Sequence, residues 1–183
     1  MGKNTLRETV YAFNNTNTVE TYDIDMDVWH PNRIKMASIV CEVLPFDRAE
    51  NLRFLDLGVG TGYLSHKIIE IFPNATIVAV DAAELMIDKA KLRLKNHLEQ
   101  VTFQLSTFQE LPNTMKDLSH IDAVVSSFAL HHLYKEEKEF LFRYIHSILK
   151  PHGWFVGCDI FKASDAILEA RFRRLHYQGI QER

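Results

Sequence analysis

Five short apolar segments alternate with segments of helical periodicity over most of the chain, and this alternation limits the possible folds more than any other feature. Residues 76–80 are β-branched and apolar on both faces, which is typical of a central parallel strand covered on both sides. The alternation predicts an α/β protein with a Rossmann-like, doubly wound parallel sheet in three layers, α/β/α. The predicted strands are residues 53–57, 76–80, 101–105, 121–126 and 154–160, and the predicted helices are residues 32–44, 61–72, 83–94, 135–149 and 164–177.

The chain length suits a single domain of this kind, preceded by a short extension. A chain of 183 residues can bury a sizeable core within one domain. We expect residues 1–31 to form an N-terminal extension and residues 32–183 to form the ligand-binding domain. The extension carries aromatic side chains among polar ones, and Tyr11, Tyr22 and His30 are candidates for a lid over the site. The alternative is that these aromatic residues only fasten the extension to the domain.

A glycine-rich loop follows the first predicted strand and precedes a helix. Open α/β sheets bind ligands at the carboxyl ends of their strands, and Gly58, Gly60 and Gly62 lie at that position. Their spacing is G-x-G-x-G, whereas the dinucleotide fingerprint is G-x-G-x-x-G, and Tyr63 stands where the third dinucleotide glycine would be. Asp56 would repel a pyrophosphate next to this loop, but it suits a ligand with a positive amino group.

An acidic residue ends the second predicted strand. Asp81 lies about 20 residues beyond the loop, where a carboxylate can accept hydrogen bonds from both ribose hydroxyls of an adenosine ligand. The alternative is that Asp81 caps the helix that starts near Ala83, and the two roles are compatible.

Four segments resemble the motifs of class I S-adenosylmethionine-dependent methyltransferases, in particular those that act on small molecules, including the quinone-biosynthesis type. Residues 54–62 and 78–81 resemble the first two motifs, residues 121–133 the motif of the fourth strand, and residues 149–155 the turn into the fifth strand. The resemblance covers residues 53–160 and is specific to the superfamily rather than to a substrate. It implies that residues 32–183 form a methyltransferase domain that uses S-adenosyl-L-methionine and releases S-adenosyl-L-homocysteine.

The resemblance also implies roles for individual positions. Asp56 and the glycine backbone would hold the methionine part of the cofactor, and Asp81 would bind the ribose. Pairs of residues after strands two, three and four would contact the adenine, flank its edge and border the sulfonium, with Phe128 beside the acceptor. The full cofactor-binding set is Asp56, Gly58, Gly60, Gly62, Asp81, Ala82, Met86, Thr107, Phe108, Ser126 and Ser127.

Two features depart from the family pattern. The family often has an acidic residue after strand three to accept a hydrogen bond from the adenine amino group. Here Thr107, or a backbone carbonyl, would take that role. The family fold usually continues with two more strands, whereas this chain ends at Arg183, so either the fold is minimal or the chain is C-terminally truncated.

Methyl transfer depends mainly on alignment of the reactants, which can supply about 7–11 kcal/mol of the acceleration. A base is needed only when the acceptor must lose a proton, and His131 and His132 are the candidate catalytic residues. Adjacent side chains are expected to point in different directions, so at most one would face the site. The alternative is that the pair only packs at a loop–helix junction. Asp159, after strand five, would either contact the acceptor or cap a loop.

Composition limits the partners. A net charge of −3 argues against binding of nucleic acid by bulk charge. The resemblance to the family implies a small-molecule acceptor as the partner, and a homo-oligomer stays open. No apolar run approaches the roughly 20 residues that cross a bilayer, and the polar N-terminus lacks a signal core.

Cys41 and Cys158 are expected to be unpaired thiols. No metal site is predicted, and the expected location is the cytoplasm.

Two other functions remain as alternatives. A methyltransferase-like subunit could bind a partner without catalysis, although the intact loop and Asp81 argue against this. An NAD-dependent oxidoreductase would share the fold, but Tyr63 and the loop spacing disfavour it.

Overall fold

The computed structural model describes residues 12–181, and its centre is a five-stranded parallel sheet with the order β3-β2-β1-β4-β5. The predicted fold class is therefore confirmed. The strands are β1 (Arg53–Leu57), β2 (Thr76–Asp81), β3 (Val101–Leu105), β4 (Ile121–Ser127) and β5 (Leu149–Cys158). Four of them match the sequence prediction to within one residue.

Strand β5 starts five residues earlier than predicted. Leu149 already pairs with Ile121, and regular pairing resumes only where Trp154 pairs with Ala123. The predicted turn at residues 151–153 is therefore an irregularity within the strand, where His152 has a positive φ of 66°. Proline and glycine in this segment interrupt the ladder without ending it.

The α-helices around the sheet are α1 (Thr16–Trp29), α2 (Arg33–Glu42), α3 (Tyr63–Ile71), α4 (Glu84–Arg93), the short α5 (Leu111–Thr114), α6 (Lys135–Ile148) and α7 (Ala166–Gln181). Two short 3₁₀ helices, Leu98–Gln100 and Leu130–His132, accompany them. Helix α1 was not predicted from the sequence. The side chain of Asn15 caps it by accepting hydrogen bonds from the amides of Asn17 and Thr18, and Val19 is its one buried residue. A helix that buries so little apolar surface has no clear periodic pattern.

The core has two halves, one on each face of the sheet. Phe54 and Ile77 face a layer formed by α2, α3 and α4, whereas Leu55 and Val80 face α6 and the short helix α5. Neighbouring residues of one strand thus enter opposite halves, as expected for a parallel sheet covered on both sides. Both cysteines carry free thiols. None of the helices in residues 12–181 has the length and apolar character needed to traverse a bilayer.

The sheet has its switch point at β1, because β2 and β3 lie on one side of it and β4 and β5 on the other. Because β1 lies in the middle, the chain leaves it toward β2 and later returns to its other side at β4. The loops after β1 and β4 diverge at this switch point and leave a crevice at the carboxyl edge of the sheet. The glycine loop borders that crevice.

Candidate functional site

A cleft of about 690 Å³, open to solvent, lies at the carboxyl edge of the sheet. It is bordered by the loops that follow β1, β2, β3 and β4, and by residues of the N-terminal extension. Its lining residues are Phe13, Tyr22, Gly58, Gly60, Asp81, Ala82, Ala83, Met86, Ser106, Thr107, Phe108, Ser127, Phe128, Ala129, His132 and Leu133.

The glycine loop presents bare backbone to this cleft at Gly60. Its φ is +52°, and a Cβ built on it would meet no atom within 4 Å, so a side chain there would project into open space. Gly58, with φ +78°, is required for another reason, since its Cβ would lie 2.3 Å from the Cβ of Ala129. The amides of Gly58 and Val59 both donate to the carbonyl of Val80 at 2.9 Å, which ties the loop to β2.

Gly62 does not line the cleft. A Cβ on it would lie 3.1 Å from the Cα of Ala90 and 3.3 Å from a methyl group of Leu94, so Gly62 allows the start of α3 to pack closely on α4. In this structure Gly62 therefore serves the packing of α3 on α4, and its place beside the cofactor stays a prediction.

Asp81 lines the cleft and is held by two backbone amides. Its Oδ2 accepts a hydrogen bond from Gly60 at 2.9 Å, and its Oδ1 accepts one from Ala83 at 2.9 Å. The capping alternative is thus present in the structure, together with exposure to the cleft. Burial raises the pKa of Asp81, and the amide hydrogen bonds oppose this rise. Each carboxylate oxygen retains acceptor capacity beyond its single amide bond.

Asp56 is buried beneath the loop and does not line the cleft. Its Oδ2 accepts a hydrogen bond of 2.6 Å from the hydroxyl of Ser65, and its Oδ1 is buried without a hydrogen-bond partner. Burial raises the pKa of this carboxyl group to about 7. In this structure the Asp56 carboxylate therefore does not face the cleft, where the amino group of a ligand was expected to contact it.

The two serines at the end of β4 have different environments. Ser127 lines the cleft, whereas Ser126 is buried and its hydroxyl donates to the carbonyl of Leu57 at 2.7 Å. Ser126 therefore links β4 to β1 through its side chain, and its position at the cofactor stays a prediction. The alternation of side chains along a strand separates these neighbours.

The predicted adenine contacts all lie in the cleft wall. Ala82 and Met86 come from the segment after β2, and Thr107 and Phe108 from the segment after β3. The Thr107 hydroxyl donates to the carboxylate of Glu110 at 2.7 Å, so an acidic residue is present in the segment that follows β3.

The N-terminal extension covers part of the site. Phe13 and Tyr22 line the cleft, and their rings pack edge to face with centroids 5.8 Å apart. Tyr11 lies outside the described residues. A second cleft of about 360 Å³ shares Tyr22, Gly58 and Gly60 with the first and is also bordered by Met26 and Arg33.

A polar cluster, which sequence reasoning missed, joins the extension to the loop. Asp23 on α1 accepts hydrogen bonds of 2.7 Å from Arg33, 2.7 Å from Arg93 and 2.8 Å from the hydroxyl of Thr61. The guanidinium of Arg33 lies 4.3 Å from the ring centroid of Tyr63. Burial opposes ionisation of Asp23, but the arginine and threonine hydrogen bonds outweigh it and lower the pKa. These residues are up to 70 positions apart, so no local pattern reveals them.

Only one residue of the histidine pair faces the cleft, although the two side chains do not point in different directions. His132 lines the cleft and His131 does not, yet their rings lie against each other with centroids 3.9 Å apart. Asp159 fixes His131: a 2.6 Å hydrogen bond joins its Oδ1 to Nδ1, and its Oδ2 accepts from the amides of Leu130 and His131. Burial, followed by the positive potential of His131, lowers the pKa of His132. The described residues contain no group of three metal-ligating side chains.

Known proteins share both sequence and fold with this chain. A curated malonyl-[acyl-carrier protein] O-methyltransferase of Bacillus cytotoxicus is 44% identical over 66 residues, which are 36% of this chain and 22% of that protein. An uncharacterized methyltransferase of Anoxybacillus flavithermus is 32% identical over 125 residues, or 68% of this chain and 55% of that protein. The aligned regions thus span about half or less of these relatives.

Solved structures extend the likeness of fold. A complex of DhpI with SAH has a TM-score of 0.65 at 19% identity and covers 86% of this chain and 71% of that chain. A complex described as DhpI-SAM-HEP has a TM-score of 0.63 at 21% identity and covers 97% of this chain and 72% of that chain.

The family described as "Methyltransferase domain" matches residues 54–153, which is more than half of the sequence and includes the glycine loop and Asp81. The resemblance seen in the motifs is confirmed, and the chain belongs to this methyltransferase family.

Proposed function

We propose that this chain is an S-adenosylmethionine-dependent methyltransferase that transfers a methyl group to a small-molecule acceptor. The observation that carries the proposal is the side-chain-free backbone of Gly60, which faces open space next to the carboxylate of Asp81 at the switch point of the sheet. Membership of the methyltransferase family and the likeness to complexes named for SAH and SAM support it.

The residues of the cleft fit an adenosine-bearing amino acid. Asp81 has acceptor capacity for ribose hydroxyls, Met86 and Phe108 offer apolar surface for an adenine, and the polar backbone around Gly60 faces the remaining space. A Cβ at Gly60 would occupy the space that the ligand needs. Asp56 would act indirectly, by holding Ser65 at the start of α3 beneath the loop.

The cofactor supplies a methyl group already activated by its sulfonium, so the protein need only align the acceptor with it. Phe128, Ala129 and Leu133 form an apolar wall next to Ser127 and His132. Such a wall excludes water and limits the orientations that an acceptor can take. A neutral His132, favoured by its lowered pKa, can accept a proton from an acceptor that must lose one.

The extension is proposed to act as a lid. Phe13 and Tyr22 border the cleft, while Asp23 holds α1 against Thr61 of the glycine loop and Arg93 of α4. Entry and exit of a ligand would then require α1 to move, at the expense of these hydrogen bonds. The division between residues 1–31 and 32–183 is part of this proposal.

Calorimetry with S-adenosylmethionine and with NAD tests the function. We expect the first to bind with a dissociation constant well below 1 mM and the second not to bind. Asp81→Ala should weaken binding of S-adenosylmethionine by about tenfold or more, because each lost hydrogen bond to a charged group is worth about 1.5–3 kcal/mol. A folded protein that does not bind S-adenosylmethionine at millimolar concentration would support the non-catalytic, partner-binding subunit instead.

Family membership speaks against the NAD-dependent alternative. Nothing in the described residues favours nucleic acid as a partner. The cytoplasmic location and a homo-oligomeric state remain predictions from the sequence.

A further inference from the structure

Two clefts meet at the glycine loop, and their linings carry opposite charges. The residues common to both linings are Tyr22, Gly58, Gly60, Ser127 and Phe128. Histidine aside, Asp81 is the charged residue of the larger cleft and Arg33 that of the smaller one among residues 12–181. A ligand that extends from one cleft into the other would meet a negative group at one end and a positive group at the other.

The donor of the proposed reaction has ends that match these charges. Its ribose hydroxyls are assigned to Asp81, and Gly60, over which its amino-acid portion passes, borders the smaller cleft as well. Asp81 would repel the carboxylate at the far end of the donor, whereas Arg33 would attract it. A guanidinium also matches a carboxylate in shape, because two parallel N–H groups can meet its two oxygens. Charge and shape therefore favour the smaller cleft for this carboxylate.

Arg33 is held in place by its surroundings. Its side chain is 6% exposed, and its guanidinium lies 4.3 Å from the ring centroid of Tyr63. It donates to the Oδ1 of Asp23 at 2.7 Å and to the backbone carbonyl of the same residue at 3.4 Å, and its Nη1 lies 3.5 Å from the carboxylate of Asp27. Because a guanidinium has five N–H groups, these contacts leave donor capacity for a further carboxylate.

Asp23 does not depend on Arg33 alone. Its Oδ2 accepts a hydrogen bond of 2.7 Å from Arg93, and its Oδ1 also accepts one of 2.8 Å from the hydroxyl of Thr61. Arg33 can therefore engage a second carboxylate without leaving Asp23 unpaired. Since Asp23 belongs to α1 and Arg33 to α2, a carboxylate on Arg33 would bind at the contact between the lid and the domain.

We propose that Arg33 binds the carboxylate of the donor while it holds Asp23, so that donor binding fastens α1 over the site. This inference rests on the proposed function and names the part of the donor that closes the lid. With α1 in place, Asp23 orients the guanidinium toward the smaller cleft, so the carboxylate binds the closed state better than the open one. By reciprocity, the bound carboxylate stabilises the closed state by the same factor.

Two ligands that differ only in the carboxylate test the coupling. S-adenosyl-3-thiopropylamine is the decarboxylated analogue of S-adenosylhomocysteine and keeps its nucleoside and amine. Hydrogen exchange of the α1 amides, measured by mass spectrometry with each ligand at saturation, reports closure of the lid. We expect S-adenosylhomocysteine to slow this exchange at least about fivefold more than the analogue does.

The outcomes separate the coupling from donor binding itself. Equal slowing by both ligands, or faster exchange with S-adenosylhomocysteine, would overturn the coupling and leave the proposed function intact. Binding of neither ligand would contradict the proposed function and the inference with it.

Variants of Arg33 test its contact with the carboxylate. Arg33→Gln should raise the dissociation constant of S-adenosylhomocysteine by about tenfold or more and that of the analogue by less than about twofold. Arg33→Lys keeps the charge on which folding depends but lacks the paired N–H groups, so we expect a smaller loss, again confined to S-adenosylhomocysteine. Arg171→Gln, at an exposed position of α7, is the matched control and should change neither constant. Equal weakening of both ligands in folded Arg33 variants would show that Arg33 only supports the fold and would refute the assignment.

Discussion

The buried carboxyl group of Asp56 makes a quantitative prediction about stability. Its pKa is about 7 in the folded protein and 3.8 in an unfolded chain. Between these values the folded state binds the additional proton, so the contribution of Asp56 to the free energy of unfolding decreases as pH rises from about 4 to 7. At about 1.4 kcal/mol for each pKa unit, the loss amounts to about 4 kcal/mol above pH 7.

Asp56→Asn removes this ionisation and keeps the shape of the side chain. Relative to the wild type, the variant should gain stability as pH rises, by about 1.4 kcal/mol for each pH unit from 4 to 7, and then level off. The amide nitrogen would be buried where Oδ1 has no partner, which adds a cost of about 1–3 kcal/mol at every pH. The test is therefore how the difference in free energy of unfolding between the variant and the wild type changes with pH. The size of this difference at any single pH is not diagnostic.

Urea denaturation between pH 4 and pH 8.5 measures this difference, because other titrating groups are shared by both proteins and cancel. Asp88→Asn is the control, since its side chain is exposed on α4 and surface substitutions usually change stability by less than about 0.5 kcal/mol. Parallel stability curves for Asp56→Asn and the wild type would refute the claim that Asp56 is buried and difficult to ionise.

Three other changes test the site. Gly60→Asn, chosen because asparagine tolerates a positive φ, should abolish binding of S-adenosylhomocysteine in calorimetry and leave the circular dichroism spectrum unchanged; retained binding would show that the ligand lies elsewhere. Asp159→Ala should free the turn that carries His132 and lower kcat at least about tenfold while the donor still binds, and a normal kcat would show that Asp159 does not position His132 through this turn. Asp23→Ala should lower the free energy of unfolding by about 1–3 kcal/mol and speed proteolysis of α1, whereas unchanged cleavage would argue that Asp23 does not hold α1 on the domain.

The sequence predicted the sheet well because its strands are buried on both faces. Residues 76–80 and 121–126 are nearly continuous apolar runs, and such segments have few alternatives to a central parallel strand. Helix α1 was missed because its contacts are mainly polar. Asp23 is recognisable as important only when the fold brings Arg93 and Thr61 to it.

Within the site, the sequence predicted which loops contribute but not which neighbouring side chain faces the ligand. Gly60 faces the cleft and Gly62 faces α4, and likewise Ser127 lines the cleft while Ser126 bonds to β1. These differences depend on φ values and strand pleat that a motif does not encode. Arg33 was overlooked because a single arginine in a helical pattern usually faces solvent, whereas here it is buried against Tyr63.

A crystal structure of the protein with S-adenosylhomocysteine tests the central claim most directly. The account predicts both ribose hydroxyls within hydrogen-bond distance of the Asp81 carboxylate, at about 2.5–3.0 Å, and the amino-acid portion passing over the bare backbone of Gly60. A ligand bound away from Asp81, or an unchanged cleft in crystals grown with saturating ligand, would contradict it.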